Sequence, residues 1–359
     1  MKIKDPLVSI IIPAFRSEYL IGNLIKSLQK TRYSNYEVII VFDPCGDNGV
    51  QITRKIVSKD KRWIIIENTN RLGSTKSLNL GIKTSKGDLV AFVACDMTLD
   101  PNWLKELVRY LLKSDRSVGG VIAKFYDFHQ HNLIQVYRHY LMRETGWIVS
   151  LDLGKKDGIK YQKPVETFNG FEGLVVRKEV FTIAGMFDED IDALIYDLDM
   201  NWRVWLAGFR IVLVPNAKIY HWSLKEGRQN TKWEFFYGRM LNVFIKNYSL
   251  NSLIVYLPQF LIIYSLRALV LLLKGDSKAM VGWIQVLYWS FKHLPETLEK
   301  RSIIQTKVRR VSDKYLFGKI FFKGSIFDFY RYLKKAQNKI TPLLLRDESL
   351  KKEVISYSV

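Results

Sequence analysis

Only two cysteines, Cys45 and Cys95, occur in the 359 residues. Two thiols cannot build a disulfide framework, and so low a count suits a reducing compartment. No leader is expected at the amino terminus. The apolar run in MKIKDPLVSIIIPAF is about seven residues long and too β-branched for a signal peptide, so the first domain is expected to fold in the cytoplasm. Internal repeats and low-complexity tracts are missing, which excludes a repeat array. Acidic residues are also in short supply: 35 Asp and Glu stand against 55 Lys and Arg, a formal net charge of +20. That balance favours anionic partners: phosphates, nucleic acid or an acidic membrane surface. Residues 274–359 hold 18 Lys or Arg against 8 Asp or Glu, half of the excess. No nucleic-acid motif accompanies this basic tail, so nucleic acid is not expected as a partner.

What the chain does have is apolar mass. Hydrophobic residues make up 48% and charged residues 25%, enough for a packed core in one large domain or two ordinary ones. The first hundred residues alternate two patterns. LVSIIIPAF, YEVIIVFD, RWIIIEN and DLVAFVAC read as buried strands. SEYLIGNLIKSLQKT (with Ser17 as a candidate N-cap), GVQITRKIVSK, GSTKSLNLGIKTS and PNWLKELVRYLLK read as helices. Strands apolar on both faces that alternate with helices predict an α/β fold with a mostly parallel sheet. Ligands of such sheets sit beyond the carboxyl ends of the strands. Those ends are Pro13-Ala14-Phe15, Asp43, Asn68 to Asn70 and Asp96. Further on, GGVIAKFYDF and GFRIVLVPNAKIYHW read as strands, and DLDMNWRVWLAG as a helix closed by Gly208. Another helix is expected over 230–248.

Residues 251–273, NSLIVYLPQFLIIYSLRALVLLL, carry one charge, Arg267, and one mid-run proline, Pro258. The length matches a membrane-spanning helix of about 20 residues. MVGWIQVLYWSF follows, with the aromatic composition of a membrane interface. A buried helix pair is one reading; a basic-flanked helix lying in the interface suits the proline and the arginine better.

The candidate chemistry is carboxylate chemistry. Asp43 and Asp96 end strands, where each reads either as a turn residue or as a ligand-facing group. Mg²⁺ or Mn²⁺ on a diphosphate needs few protein ligands, so a single carboxylate can suffice. Asp100, ahead of Pro101, suits helix capping. Arg71 and Lys76 flank a helix start of the kind that favours phosphate. Asp188, Glu189, Asp190, Asp192, Asp197 and Asp199 form the densest acidic stretch. On a helix Asp197 and Asp199 point about 200° apart, so one faces a cleft while the other caps or pairs with Arg203. His221 is a candidate metal ligand as neutral imidazole. His129, His131 and His139 have no third ligand at useful spacing.

Taken in order, these segments resemble the family 2 inverting glycosyltransferases with the GT-A fold. The resemblance spans about residues 7–223 and rests on VSIIIPAFRSEYLIGNLIKSL, VIIVFDPCGDNG, NTNRLGSTKSLNLGI, LVAFVACDMTLDPNWL, GLVVRKEVFTIAGMFDED, YDLDMNWRVWLAGF and PNAKIYHW. The hydrophobic, basic C-terminal part is similar to rhamnosyltransferase-like, membrane-associated members. Three family acids are replaced, at Phe42, Ala94 and Tyr196, while Asp43, Asp96 and Asp197 remain. The resemblance implies a GT-A domain over 1–229 and a helical, membrane-associated region over 230–359. It implies a nucleotide-sugar site of Pro13, Ala14, Phe15, Glu18, Asp43, Asn70, Gly73, Lys76, Asn79, Cys95 and Asp96. It further implies Asp96 and His221 as ligands of Mg²⁺ or Mn²⁺, and Asp197 as the base. The implied activity is inverting sugar transfer from a nucleotide-diphosphate donor to a glycan or polyprenyl-linked acceptor, at the cytoplasmic face of an anionic membrane. Two rival readings are a catalytically inactive scaffold and a sugar-phosphate nucleotidyltransferase. The latter needs a glycine-rich phosphate loop after the first strand, and IIPAFRSEYL has no glycine there.

Overall fold

The computed structural model describes residues 5–168, 170–191, 195–222, 233–325, 327–328 and 331. Asp192, the expected boundary at residue 229 and the basic tail beyond residue 331 lie outside them. The first half alternates strand and helix: β1 (Val8–Ala14), α1 (Ile21–Gln29), β2 (Tyr36–Phe42), α2 (Gly49–Val57), β3 (Trp63–Glu67), α3 (Ser74–Thr84) and β4 (Leu89–Phe92). After β5 (Met97–Leu99) and α4 (Trp103–Lys113) come β6 (Val118–Asp127), β7 (Leu133–Val136), β8 (His139–Leu141), β9 (Ile148–Ser150), β10 (Lys155–Lys156), β11 (Val165–Glu166) and β12 (Leu174–Arg177). Helices α5 (Glu179–Ala184) and α6 (Tyr196–Leu206) lead to β13 (Arg210–His221). The C-terminal helices are α7 (Trp233–Asn247), α8 (Leu250–Leu273), α9 (Ser277–Lys292), α10 (Leu294–Ile303) and α11 (Asp313–Lys319).

The main sheet runs β10-β7-β6-β12-β4-β1-β2-β3. Strands β4, β1, β2 and β3 are mutually parallel, and β12 is antiparallel to β4 and to β6. Ile10, Ile11, Ile12, Val38, Ile39 and Ile40 are fully buried, because helices cover both faces, and each such side chain stabilises by roughly 1.5–3 kcal/mol. Strand order reverses beside β1, since β2 lies on one side and β4 on the other. The β1–β4 ladder stops at Ile11–Phe92, before Pro13, so a crevice opens there between the two strand ends.

Strand β13 ties the second half to the first. It runs parallel to β6, with a register shift between Val214 and Lys218 that expels Pro215, which has no N–H to give the ladder. Its far end turns antiparallel to β5, which puts His221 opposite Met97. Helix α1 begins later than the sequence suggests. Ser17 gives its backbone carbonyl to the amides of Leu20 and Ile21, and no side chain caps the helix. Asp100 does not cap α4, whose N-cap is Asn102 without a side-chain cap; it accepts from the Asn102 amide in the turn ahead of the helix.

The helices after residue 229 share the core of the sheet. Trp202 of α6 packs against Phe244, Tyr248 and Phe321. An ionic network reinforces the seam: Lys246 of α7 bonds Asp188 and Asp199, and Lys300 of α10 bonds Asp188 and Asp190. Beyond it, α8 buries one stripe, Phe260, Tyr264 and Ala268, and leaves Ile254, Ile262, Leu266 and Leu273 exposed. Its most apolar window has a mean hydropathy of 1.8 and is 17% buried, so α8 is long and apolar enough to cross a membrane and is not a core helix.

Candidate active site

At the mouth of the crevice, β1 ends in Pro13, Ala14 and Phe15. Pro13 lines the opening, Ala14 is buried, and Phe15 is 36% exposed. The guanidinium of Arg71 lies 4.3 Å from the Phe15 ring centroid and that of Arg16 lies 5.4 Å away. This is a flat cationic and aromatic rim. Below it, Asp43 accepts hydrogen bonds from Asn68 Nδ2 at 2.8 Å, the Leu72 amide at 3.0 Å and the Gly73 amide at 2.7 Å. Asp43 therefore clamps the loop that leads into α3, through residues 25 to 30 positions away and not through a local turn. Glu18 accepts from the amide and side chain of Asn48 and fastens the neighbouring loop. Asn70 and Lys76 are exposed beside the rim. Asn79 is turned inward: it donates to the Phe187 carbonyl and to Glu189, and accepts from the Phe187 amide. Its hydrogen-bonding capacity is spent tying α3 to the acidic loop, so it does not face the crevice.

The second group lies beyond β4. Cys95 is half-buried, its thiol pointing at the Pro13 carbonyl, and desolvation pushes its pKa up. Asp96 Oδ2 stands 3.2 Å from His221 Nε2, and His221 Nδ1 lies 2.9 Å from Gln135 Oε1. The Gln135 amide is oriented by donating to Asp127 Oδ2 and to the His221 carbonyl. Its oxygen therefore faces Nδ1–H, and in the neutral tautomer with that proton the Nε2 lone pair is directed at Asp96. Asp96 Oδ1 is buried without a hydrogen-bond partner among the described residues. Two electron-pair donors facing each other, with an orphaned carboxylate oxygen beside them, suit a divalent cation. Among the described residues no group of three or more His, Cys, Asp or Glu side chains is placed to hold a metal, so phosphate and water oxygens would complete the coordination.

The third group comes from α6. Asp199 points inward to Arg203 at 3.0 Å and to Asn247 at 3.0 Å. Asp197 points the other way, accepting the Leu198 amide at 2.8 Å, the division of labour expected from helical geometry. Its carboxylate packs so closely on Gly170 that a Cβ there would lie 2.4 Å from Oδ2. Burial, reinforced by the nearby charge of Glu172, raises the Asp197 pKa to about 7. Beside the ends of β1 and β4, a crevice of about 250 Å³, open to solvent, is lined by Pro13, Val93, Ala94, Phe171, Glu172 and Tyr196, among others. Ala94 and Tyr196, two of the replaced family acids, thus face the same space. Glu172 was not singled out from the sequence. It stands alone in FNGFEGL, and only the turn before β12 brings it here.

The glycosyl transferase family 2 profile matches residues 9–182. An Escherichia coli relative, the UDP-Glc:alpha-D-GlcNAc-diphosphoundecaprenol beta-1,3-glucosyltransferase WfgD, is 31% identical over 115 residues, 32% of this chain and 44% of the relative. The matched segments span about a quarter to a half of the first curated relatives, from 26% to 47% of their length. Among solved structures, Staphylococcus aureus TarS 1–349 superposes with a TM-score of 0.54 at 20% identity, covering 87% of this chain and 92% of that one. GalNAc-T7, solved with UDP, GalNAc and Mn²⁺, gives a TM-score of 0.54 at 15% identity over 66% of this chain and 51% of that one. With a matching family profile, the parallel sheet and the crevice at its strand ends, the chain carries a glycosyltransferase family 2 domain of the GT-A type.

Proposed function

We propose that the protein is an inverting glycosyltransferase that moves a sugar from a nucleotide-diphosphate donor to a hydroxyl of a glycan or polyprenyl-linked acceptor in polysaccharide synthesis. The observation that carries this reading is Asp197, a carboxylate next to the crevice-lining Tyr196, with a pKa raised to about 7. A group so poised can take a proton from an acceptor hydroxyl near neutral pH. Attack by that oxygen on the anomeric carbon expels the nucleotide diphosphate in one displacement, so no enzyme nucleophile is required and configuration inverts. The Phe15, Arg16 and Arg71 rim offers stacking and charge to a nucleobase and its phosphates. Asp96 and His221 would hold Mg²⁺ or Mn²⁺, which when bound neutralises charge on the departing diphosphate. The neighbour GalNAc-T7, with its UDP and Mn²⁺, and the undecaprenol-linked substrate named for WfgD support the donor and acceptor classes.

The exposed apolar side chains of α8 and α9, with Lys274, Lys278 and Lys292 among them, support docking on the anionic cytoplasmic leaflet, where a polyprenyl-linked acceptor resides. The test of the catalytic reading is Asp197→Asn assayed for transfer across a panel of nucleotide sugars. Transfer falls by at least about a thousandfold, within the range of acid–base contributions, while nucleotide binding stays within a factor of about three. Full transfer activity in that variant would remove Asp197 from the base role.

A further inference from the structure

Among the crevice-lining residues, Glu172 is the one charged side chain. Its neighbours hold it there. Phe171 is buried, edge-on to Phe92 at 5.5 Å and to Phe187 at 5.0 Å. Gly173 adopts φ +72°, a conformation that glycine takes without strain, and donates its amide to the Phe92 carbonyl at 2.7 Å. Leu174 closes the turn by donating to the Phe171 carbonyl at 3.2 Å. Glu172 therefore rides on a rigid turn, with an aromatic anchor on one side and a strand on the other.

A carboxylate at this place repels phosphate and accepts hydrogen bonds. In a nucleotide-diphosphate sugar, the groups that donate hydrogen bonds densely are sugar hydroxyls. The diphosphate belongs with Asp96, His221 and the cationic rim. Resting on the donor reading above, we propose that Glu172 is the residue that selects the transferred sugar. Its two oxygens accept from neighbouring hydroxyls of a neutral pyranose, and its charge rejects donors that carry a carboxylate on the sugar ring. Specificity of this kind comes as much from the repulsive pairing as from the attractive one. Glu172 shares the crevice lining with Tyr196, the neighbour of Asp197, and with Ala94 at the end of β4.

The experiment uses the full chain and matched donor pairs, UDP-glucose with UDP-glucuronate and GDP-mannose with GDP-mannuronate. Affinities are measured with Mn²⁺ for the wild type and for Glu172→Gln, with UDP and GDP alone as references. The wild type favours the neutral sugar of the bound pair by about tenfold or more. In Glu172→Gln, of the same shape but uncharged, that preference shrinks to within about threefold. Affinity for the bare nucleotide stays within about twofold, which also reports an intact site. An unchanged neutral-to-acidic ratio overturns the proposal. So does an equal loss of nucleotide and nucleotide-sugar affinity, which would make Glu172 a structural residue. Absence of any nucleotide binding by the wild type would instead overturn the donor reading on which it rests.

Discussion

At the scale of single residues, the titration of Asp197 has consequences of definite sign. Its folded pKa of about 7 lies above the ordinary carboxylate value of about 3.9. The base works only when ionised, so kcat/KM rises about tenfold per pH unit below 7 and levels off above it. A rate that is flat from pH 5 to 8 would exclude this group as the base. Linkage runs the opposite way for stability. A raised carboxylate pKa favours the folded state below the unfolded value and loses that contribution as pH rises through about 7. Asp197→Asn should therefore melt higher than wild type at pH 8 and level with it near pH 4, measured by thermal denaturation. Asp188 behaves in the contrary sense. Burial alone would raise its pKa, but Lys246 and Lys300 override burial and hold it low. Its stabilising contribution is present above the usual carboxylate range and lost as pH falls below it.

Among the elements, α6 is the hinge of the account, since its two faces serve two purposes. Its start brings Tyr196 to the crevice with Asp197 beside it; the inner face buries Asp199 against Arg203 and Lys246. Lys246 is 2% exposed and satisfies Asp188 and Asp199 together. Lys246→Met would leave two buried carboxylates short of their counter-charge, at a cost of about 3–5 kcal/mol, read by chemical denaturation. A loss under about 1 kcal/mol, the range of exposed pairs, would show that the seam rests on apolar packing alone. The alternation of β1 to α4 was legible in the sequence because parallel strands buried on both faces leave long apolar runs. The i+4 pairing of Asp199 with Arg203 was equally legible, because it is local. What stayed hidden depends on distant partners. Nothing in FNGFEGL marks Glu172 as a crevice residue. Asn79 has the look of a ligand contact until the acidic loop is seen to bond it. The lost capping role of Ser17 depends on the loop around Glu18 and Asn48. His221 was a candidate ligand from residue type alone, and its meeting with Asp96, 125 residues away, follows from the antiparallel pairing of β13 with β5.

For the whole molecule, the sheet domain and the C-terminal helices form one core with an exposed apolar surface on α8 and α9. Leu266, Val270, Ile284, Tyr288 and Phe291 stand out from it. A surface of this kind marks an interaction site, and the basic residues beside it favour anionic lipid. Co-sedimentation with phosphatidylglycerol vesicles should recover the protein in the pellet, and the double variant Leu266→Glu, Ile284→Glu should stay in solution. Equal recovery of the two proteins would count against membrane docking through α8 and α9. We propose that Asp96 and His221, at the ends of their strands, make a metal-assisted nucleotide site. Calorimetric titration of UDP and GDP, with and without Mn²⁺, tests it most directly. Wild type is expected to bind one nucleotide at least about tenfold more tightly with Mn²⁺, and Asp96→Ala to bind it equally with or without the metal. The same Mn²⁺ enhancement in Asp96→Ala, or no nucleotide binding by the wild type, would contradict it.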